Sequence, residues 1–239
     1  MRDVIAPAMT PPIIVVTGMP FEARIARGDG VVVVCAQNNT LASDLEAAMA
    51  RDGARGLVSF GTAGGLRPGV APGRWVIAHR VLDMPQQAHA YVSCVRWADA
   101  LRRAMPDALH ADLAGVTGPV VRADDKAALW RESGAAAADM ESHIVARVAQ
   151  AHGLPFVAAR VVIDPAERSL PPAALAGLRS DGSTDILGVL RSLAVNPLQL
   201  PALLRVGRDA SRANQAMRHG REVVARELGD GFGAVAAGI

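Results

Sequence analysis

The run LVSFGTAGGL, residues 57–66, is the stretch that most directly decides the fold. Its first part, 57–60, is a short apolar run of the kind that forms a buried strand. Residues 61–65 follow as Gly-Thr-Ala-Gly-Gly, whose glycines let backbone N–H groups approach a ligand closely. The spacing matches neither GxGxxG nor a Walker loop. Thr62 and Gly64 are therefore candidate ligand-binding residues, with a tight turn as the structural alternative.

Apolar runs and helical segments alternate on both sides of this stretch. Further strands are predicted at 13–16, 31–36, 75–78, 111–116 and 156–163, with a weaker one at 135–138. Helices are predicted at 42–51, 124–132 and 142–152, and a last helix shows one face made of Ala213, Met217, Gly220, Val224 and Leu228. Continuous apolar strands between helices indicate a covered sheet in an α/β layered domain. No internal repeat or linker divides the chain, so residues 1–239 are expected to form a single domain.

Composition excludes several classes of protein. Hydrophobic residues make up 51% and charged residues 20% of the chain, which is typical of a globular domain. A formal charge of +2 without a basic stripe gives no support for nucleic-acid binding. The two cysteines, Cys35 and Cys94, lack CxxC spacing, and the six histidines lack metal spacing, so we expect no metal and a reducing cytoplasm. The N-terminus does not resemble a signal peptide, and no apolar run is long enough to span a bilayer.

Glu22 closes the segment Gly-Met-Pro-Phe-Glu, residues 18–22, just after the first predicted strand. A carboxylate beside a glycine turn at the exit of a strand is well placed to enter a cleft. The alternative is a glutamate that meets the positive end of a helix dipole.

Asp139, Met140 and Glu141 precede the helix predicted at 142–152. Two carboxylates here could accept hydrogen bonds from sugar hydroxyls. The alternative is helix capping, with Asp139 as the N-cap residue and Glu141 in the first turn.

Arg160 and Asp164 belong to the run Arg-Val-Val-Ile-Asp, residues 160–164. An arginine inside an apolar strand requires a partner, because a buried charge is expensive. Asp164 leaves the strand where ligands usually bind in open α/β sheets. The alternative is a structural pair between Arg160 and Asp164 at the end of the strand.

Together these segments resemble the purine nucleoside phosphorylase and methylthioadenosine/adenosylhomocysteine nucleosidase superfamily, in order and spacing, from about Val15 to about Leu175. Residues 61–66 and 72–77 are similar to its glycine-rich segment, 138–142 to its sugar-binding motif, and 154–164 to the strand that carries a catalytic aspartate. The resemblance implies a three-layer αβα fold with a central mixed sheet, and an enzyme that cleaves the N-glycosidic bond of a purine nucleoside without a cofactor.

The resemblance also implies roles for single residues. Asp164 matches the acid that protonates purine N7. Glu141 matches the residue that binds the ribose 2′- and 3′-hydroxyls, and Met140 the one that packs on the sugar. Thr62 and Arg160 match residues near the ribose and the nucleophile.

The base pocket is implied to be lined by Val120, Val121 and Arg122, whose backbone groups would read adenine. Two positions depart from the family pattern. Val121 stands where an aromatic residue often stacks on the purine, and Ile163 stands where a serine often orients the catalytic aspartate, so another group must do so.

Glu22 favours hydrolysis over phosphorolysis. Nucleosidases of the superfamily carry a glutamate here that activates water, whereas phosphorylases carry an arginine that grips phosphate. A second negative charge would repel phosphate, and a carboxylate is a suitable general base. Arg24 lies close enough in sequence to leave phosphorolysis open as the alternative, and a catalytically silent nucleoside- or lipid-binding protein is a further one.

Within the superfamily the chain is most similar to the hopanoid-associated branch, which is implied to convert adenosylhopane into ribosylhopane and adenine. The string Asp-Met-Glu-Ser-His at 139–143 and the leucine-rich C-terminal third support this placement. The apolar segment 186–206 is expected to form amphipathic helices that cover a lipid tail or dock on the inner face of the cytoplasmic membrane, with a buried helical hairpin as the alternative. A homodimer is expected from the resemblance.

Overall fold

A computed structural model describes residues 10–86, 89–176 and 186–229. The strands are β1 (Ile13–Thr17), β2 (Val31–Cys35), β3 (Gly56–Gly65), β4 (Trp75–Asp83), β5 (His89–Val92), β6 (Leu109–Gly115), β7 (Ala137–Asp139) and β8 (Phe156–Asp164). The helices are α1 (Pro20–Ala26), α2 (Asn38–Asp52), α3 (Val95–Ala104), α4 (Ala123–Ser133), α5 (Ser142–Ala151), α6 (Pro172–Ala176), α7 (Ile186–Val195) and α8 (Leu200–Gly229).

All eight strands belong to one mixed sheet, which confirms the predicted fold class. The order is β2-β1-β3-β7-β6-β4-β5, and β8 pairs with β3 in parallel and with β4 antiparallel. Five strands therefore close into a ring, because β3, β7, β6, β4 and β8 each pair with the next and β8 returns to β3. The sequence did not predict this closure.

Helices cover both faces of the sheet, as the unbroken apolar strands predict. Side chains of β1 alternate between the two layers: Ile14 and Val16 pack with α2 and α5, whereas Ile13 and Val15 pack with α3 and α8. Full burial of such a side chain contributes about 1.5–3 kcal/mol, so the two layers hold the sheet in place from both sides.

Residues 61–65 continue β3 and do not form the turn considered from the sequence. The backbone here approaches other groups too closely for a side chain. A Cβ atom at Gly61 would lie 2.6 Å from Glu22 Oε2 and 2.7 Å from an Arg160 guanidinium nitrogen. The glycines therefore allow close packing inside a strand.

The apolar segment 186–206 is divided between α7 and the start of α8, so residues 200–206 belong to the long last helix. That helix buries Ala213, Met217, Val224 and Leu228, as predicted. None of the helices in the described ranges is by itself long and apolar enough to cross a membrane. The pair Leu187–Val195 and Pro197–Leu228 meets the length and composition criteria jointly, but it is bent by 115°.

Candidate active site

A cleft of about 270 Å³ opens where the ends of β1, β3, β7 and β8 converge. Strand register produces this convergence, since Gly64 of β3 pairs with Asp164 of β8 and with Ala138 of β7. The cleft is lined by eight of the residues predicted from the sequence: Glu22, Thr62, Gly64, Val120, Val121, Met140, Glu141 and Asp164. A larger cavity of about 330 Å³ lies where α8 covers β1 and contains none of these eight.

Arg160 lies beneath the cleft, with no exposed surface, and does not line it. Its Nε atom lies 2.5 Å from Asp139 Oδ2, and another guanidinium nitrogen lies 3.2 Å from Glu141 Oε2. The same guanidinium donates a 2.6 Å hydrogen bond to Ser59 Oγ. Arg160 therefore has buried partners, as expected, but the considered pair with Asp164 is wrong. Four residues of strand separate the two by about 13 Å.

Asp139 is the last residue of β7 and Glu141 occupies the N-cap position of α5. Asp139 nevertheless caps the helix, because its Oδ1 atom accepts a 3.1 Å hydrogen bond from the Ser142 backbone N–H. Its other oxygen pairs with Arg160 and accepts from the Ser142 hydroxyl. Asp139 thus serves as both cap and counter-ion, and Glu141 is left to face the cleft.

Burial raises the pKa of Glu141 to about 7, with Arg160 acting in the opposite direction. The neighbouring carboxylates of Asp139 and Glu22 add to the rise. Glu141 also sits against the backbone of Gly18, where a Cβ atom would collide with its carboxylate. The turn after β1 is therefore closely fitted to this side chain.

Glu22 is buried at the start of α1 and accepts four hydrogen bonds. Its Oε2 atom accepts from the backbone N–H groups of Gly18 and Met19, both at 3.1 Å. Its Oε1 atom accepts from the backbone N–H and the hydroxyl of Thr62, both at 2.8 Å. Burial raises the pKa of Glu22, while Arg160 and these hydrogen bonds act in the opposite direction.

Lys126 is the partner of Asp164, and the sequence reasoning missed it. This lysine lies in α4 with no exposed surface, and its ammonium donates hydrogen bonds to Asp164 Oδ2 and to the carbonyls of Pro165 and Arg168. Burial raises the pKa of Asp164, and Lys126 opposes that rise. One sequence signal was available: Lys126 shares a helix face with Leu129 and Trp130, both partly buried.

The three residues of segment 120–122 differ in whether they line the cleft. Val120 and Val121 line the cleft, and the carbonyl of Val121 accepts a 2.9 Å hydrogen bond from Leu170 N–H. The Arg122 side chain is 69% exposed and lies 3.7–3.8 Å from Asp124 and Asp125. Its side chain therefore points away from the cleft.

Acidic side chains outnumber basic ones in the described part of the cleft. Lys126 is the only lysine or arginine among the described lining residues, and Asp164 and two carbonyls occupy its ammonium. Arg24 lies on the exposed face of α1, outside the lining. Within the described ranges, no group of three or more His, Cys, Asp or Glu residues is arranged to hold a metal ion.

Comparisons with known proteins bear on the family and the fold. The family model described as the phosphorylase superfamily matches residues 10–181. A search of curated proteins gave no match.

Solved structures share the fold at low sequence identity. The 5′-methylthioadenosine/S-adenosylhomocysteine nucleosidase of Helicobacter pylori is 12% identical, with a TM-score of 0.66, over 91% of this chain and 97% of its own. The futalosine hydrolase of Helicobacter pylori is 13% identical, with a TM-score of 0.65, over 91% and 98%. The Streptococcus pneumoniae nucleosidase in complex with 8-aminoadenine is 20% identical, with a TM-score of 0.58, over 65% and 86%.

Proposed function

Because the chain belongs to the phosphorylase superfamily, we propose that it hydrolyses the N-glycosidic bond of an adenine nucleoside. The substrate would be a nucleoside with a large apolar 5′ substituent, adenosylhopane, which would be converted into ribosylhopane and adenine in hopanoid biosynthesis. In the reaction the C1′–N9 bond breaks, its electron pair passes to the purine, and the oxygen of a water molecule bonds to C1′.

Asp164 supplies the proton that the departing purine takes up at N7. A general acid must be protonated when the substrate binds, and burial raises the pKa of Asp164 in that direction. Its position at the end of β8, beside Gly64 of the neighbouring strand β3, suits a group that meets the base. Acid catalysis of this kind contributes roughly 10²–10⁴ in rate.

Glu141 and Met140 hold the ribose. The Glu141 carboxylate, in the lining of the cleft, accepts hydrogen bonds from the 2′- and 3′-hydroxyls, while the Met140 thioether packs on the sugar ring. Positive charge develops on the ribose as the bond breaks, and Glu141 stabilises it electrostatically when ionised. Arg160 fixes Glu141 from below through the 3.2 Å ion pair.

Glu22 takes the proton of the attacking water. Both of its oxygens already accept two hydrogen bonds, so a water molecule must replace one donor. Thr62 Oγ1 is the donor that can leave, because a hydroxyl turns away by rotation about χ1 whereas backbone N–H groups cannot. Thr62 would thereby admit water beside the sugar.

The excess of buried carboxylates is the observation that favours hydrolysis over phosphorolysis. Glu22, Asp139 and Glu141 surround one guanidinium, that of Arg160. A phosphate ion entering here would give up its hydration beside two carboxylates, and no lysine or arginine among the described lining residues is free to compensate. Neutral water meets no such penalty.

The proposed apolar 5′ substituent rests on the apolar residues that line the cleft after β8. Leu170, Ala174, Leu175 and Val206 continue its lining toward α7 and α8, and the side chain of Gln199 ties this region to α6 through a 2.9 Å hydrogen bond from Ala173 N–H. The tail of a lipid-linked nucleoside would leave the cleft along this surface.

The α7–α8 surface also suits contact with the membrane that holds such a substrate. It exposes six large apolar side chains: Leu187, Leu190, Val195, Leu198, Leu200 and Leu204. Arg191, Arg205 and Arg208 are exposed beside them, as expected for an anionic lipid surface. A cytoplasmic enzyme peripheral to the inner face of the membrane, acting as a homodimer, fits this proposal.

The experiment that tests the proposal is incubation of the protein with adenosylhopane in vesicles, with and without phosphate, followed by mass analysis. We expect adenine and ribosylhopane under both conditions. Release of adenine from short soluble nucleosides alone would contradict the lipid substrate, and a sugar phosphate formed only with phosphate would contradict hydrolysis.

A further inference from the structure

Lys126 carries a buried charge next to the proposed general acid. Its side chain has no exposed surface, and its ammonium donates to Asp164 Oδ2, to the Pro165 carbonyl at 3.0 Å and to the Arg168 carbonyl at 3.1 Å. An ammonium group has three protons, so these three acceptors use all of them. The ammonium therefore fixes both the carboxylate and the loop that follows β8.

The contact is selective for one oxygen of Asp164. Lys126 binds Oδ2, whereas Oδ1 faces Gly64: a Cβ atom added at Gly64 would lie 3.4 Å from Oδ1. Oδ1 is thus the oxygen that remains available to a purine in the cleft. Ile163, the residue before the acid, offers no side-chain donor that could orient it.

The other charges that face Asp164 largely cancel. Arg168, in the loop after β8, lies 2.5 Å from Asp209 of α8, and Arg212 lies 3.6 Å from the same carboxylate. The influence of Arg168 on Asp164 is therefore countered by that of Asp209, which acts in the opposite direction. Lys126 of α4 is left as the dominant cation beside the acid.

Resting on the function proposed above, we infer that Lys126 is a positioning residue for the general acid. It holds Asp164 with Oδ1 toward purine N7 and stabilises the carboxylate that forms when the proton leaves. The ammonium keeps its own three protons throughout. The transferred proton comes from Asp164 and goes to N7, while the electron pair of the C1′–N9 bond stays with the purine.

Burial and the charge of Lys126 have opposite effects on the pKa of Asp164. Burial raises the pKa of Asp164, which favours the protonated form that a general acid needs, and Lys126 limits that rise, which favours release of the proton. Without the ammonium, Asp164 would remain protonated to higher pH but would be a weaker acid.

The test compares Lys126→Met, which removes the charge, with Lys126→Arg, which keeps it. For Lys126→Met we expect turnover of a soluble adenine nucleoside to fall by about 10²-fold and the alkaline limb of the pH profile to move up by about 1–3 units. Lys126→Arg should return that limb toward its wild-type position. Loss of turnover with an unmoved limb would mean a purely structural role and would overturn the inference.

A second measurement does not depend on activity. Carbon-13 NMR of the aspartate carboxyls, with Asp164→Asn to assign the signal, should show a higher pKa for Asp164 in Lys126→Met than in wild type. If Lys126→Met does not fold, the nitrogen-15 signal of the wild-type Lys126 ammonium should shift as Asp164 titrates, and independent titration would overturn the inference. Failure of wild type to release adenine would contradict the proposed function, while these titrations would still test the contact.

Discussion

Replacing Glu141 with Gln should remove a loss of folding stability that the wild type shows as pH rises. Burial moves the pKa of Glu141 from 4.5 to about 7 in the folded protein. At about 1.4 kcal/mol per pH unit, the ionised side chain costs about 3 kcal/mol of folding free energy. Because the folded pKa is raised, this stability is fully present below pH 4.5 and is lost as pH rises through 7. Gln does not ionise and escapes the loss.

The assay is urea unfolding of wild type and Glu141→Gln at pH 5 and pH 9. The difference in unfolding free energy between the two proteins should shift by about 2.5 kcal/mol in favour of the variant from the lower to the higher pH. Glu46→Gln, an exposed change on α2, is the matched control and should show no such shift. A difference between wild type and Glu141→Gln that stays constant from pH 5 to pH 9 would refute the reasoning.

The remaining predictions concern activity and assembly. Asp164→Asn and Glu141→Gln should each lower turnover by orders of magnitude in folded protein, and near-normal turnover of either variant would remove its assigned role. Light scattering at micromolar concentration should give the mass of a dimer, and a monomer would contradict the expected assembly. Combined Leu187→Ser, Leu190→Ser and Leu198→Ser changes should weaken vesicle binding and cleavage of adenosylhopane, yet spare a short soluble analogue and the melting temperature. The control is the double change Val92→Ser and Val95→Ser, at two apolar positions outside α7 and α8 that are 61% and 68% exposed. Equal loss of activity on both substrates, together with a lower melting temperature, would mean that α7 is ordinary core.

Local pattern predicted most of the sheet but not its closure. The runs 13–16 and 156–163 are buried strands, because apolar residues, interrupted in the second run only by Arg160, fit a sheet covered on both faces. The ring depends on β8 pairing with both β3 and β4, and no periodicity within one strand encodes a choice of neighbours. Helix α3 was not predicted from the sequence but could have been, since Trp97, Ala98 and Leu101 form its buried face.

The carboxylates of the cleft could be predicted, whereas their partners could not. Glu22 and Glu141 each follow a strand, Asp164 ends one, and the ends of neighbouring strands converge. Lys126 sits in a helix that begins with two aspartates, where a lysine is typical of a solvated face. Only tertiary packing places its ammonium against a residue 38 positions away.

The central claim is tested most directly by the initial rate of adenine release from an adenine nucleoside as phosphate is raised from zero. We predict full activity in phosphate-free buffer, a free reducing ribose as the second product, and no adenine from Asp164→Asn under the same conditions. A rate that vanishes without phosphate and rises with its concentration, yielding a ribose 1-phosphate, would contradict the account.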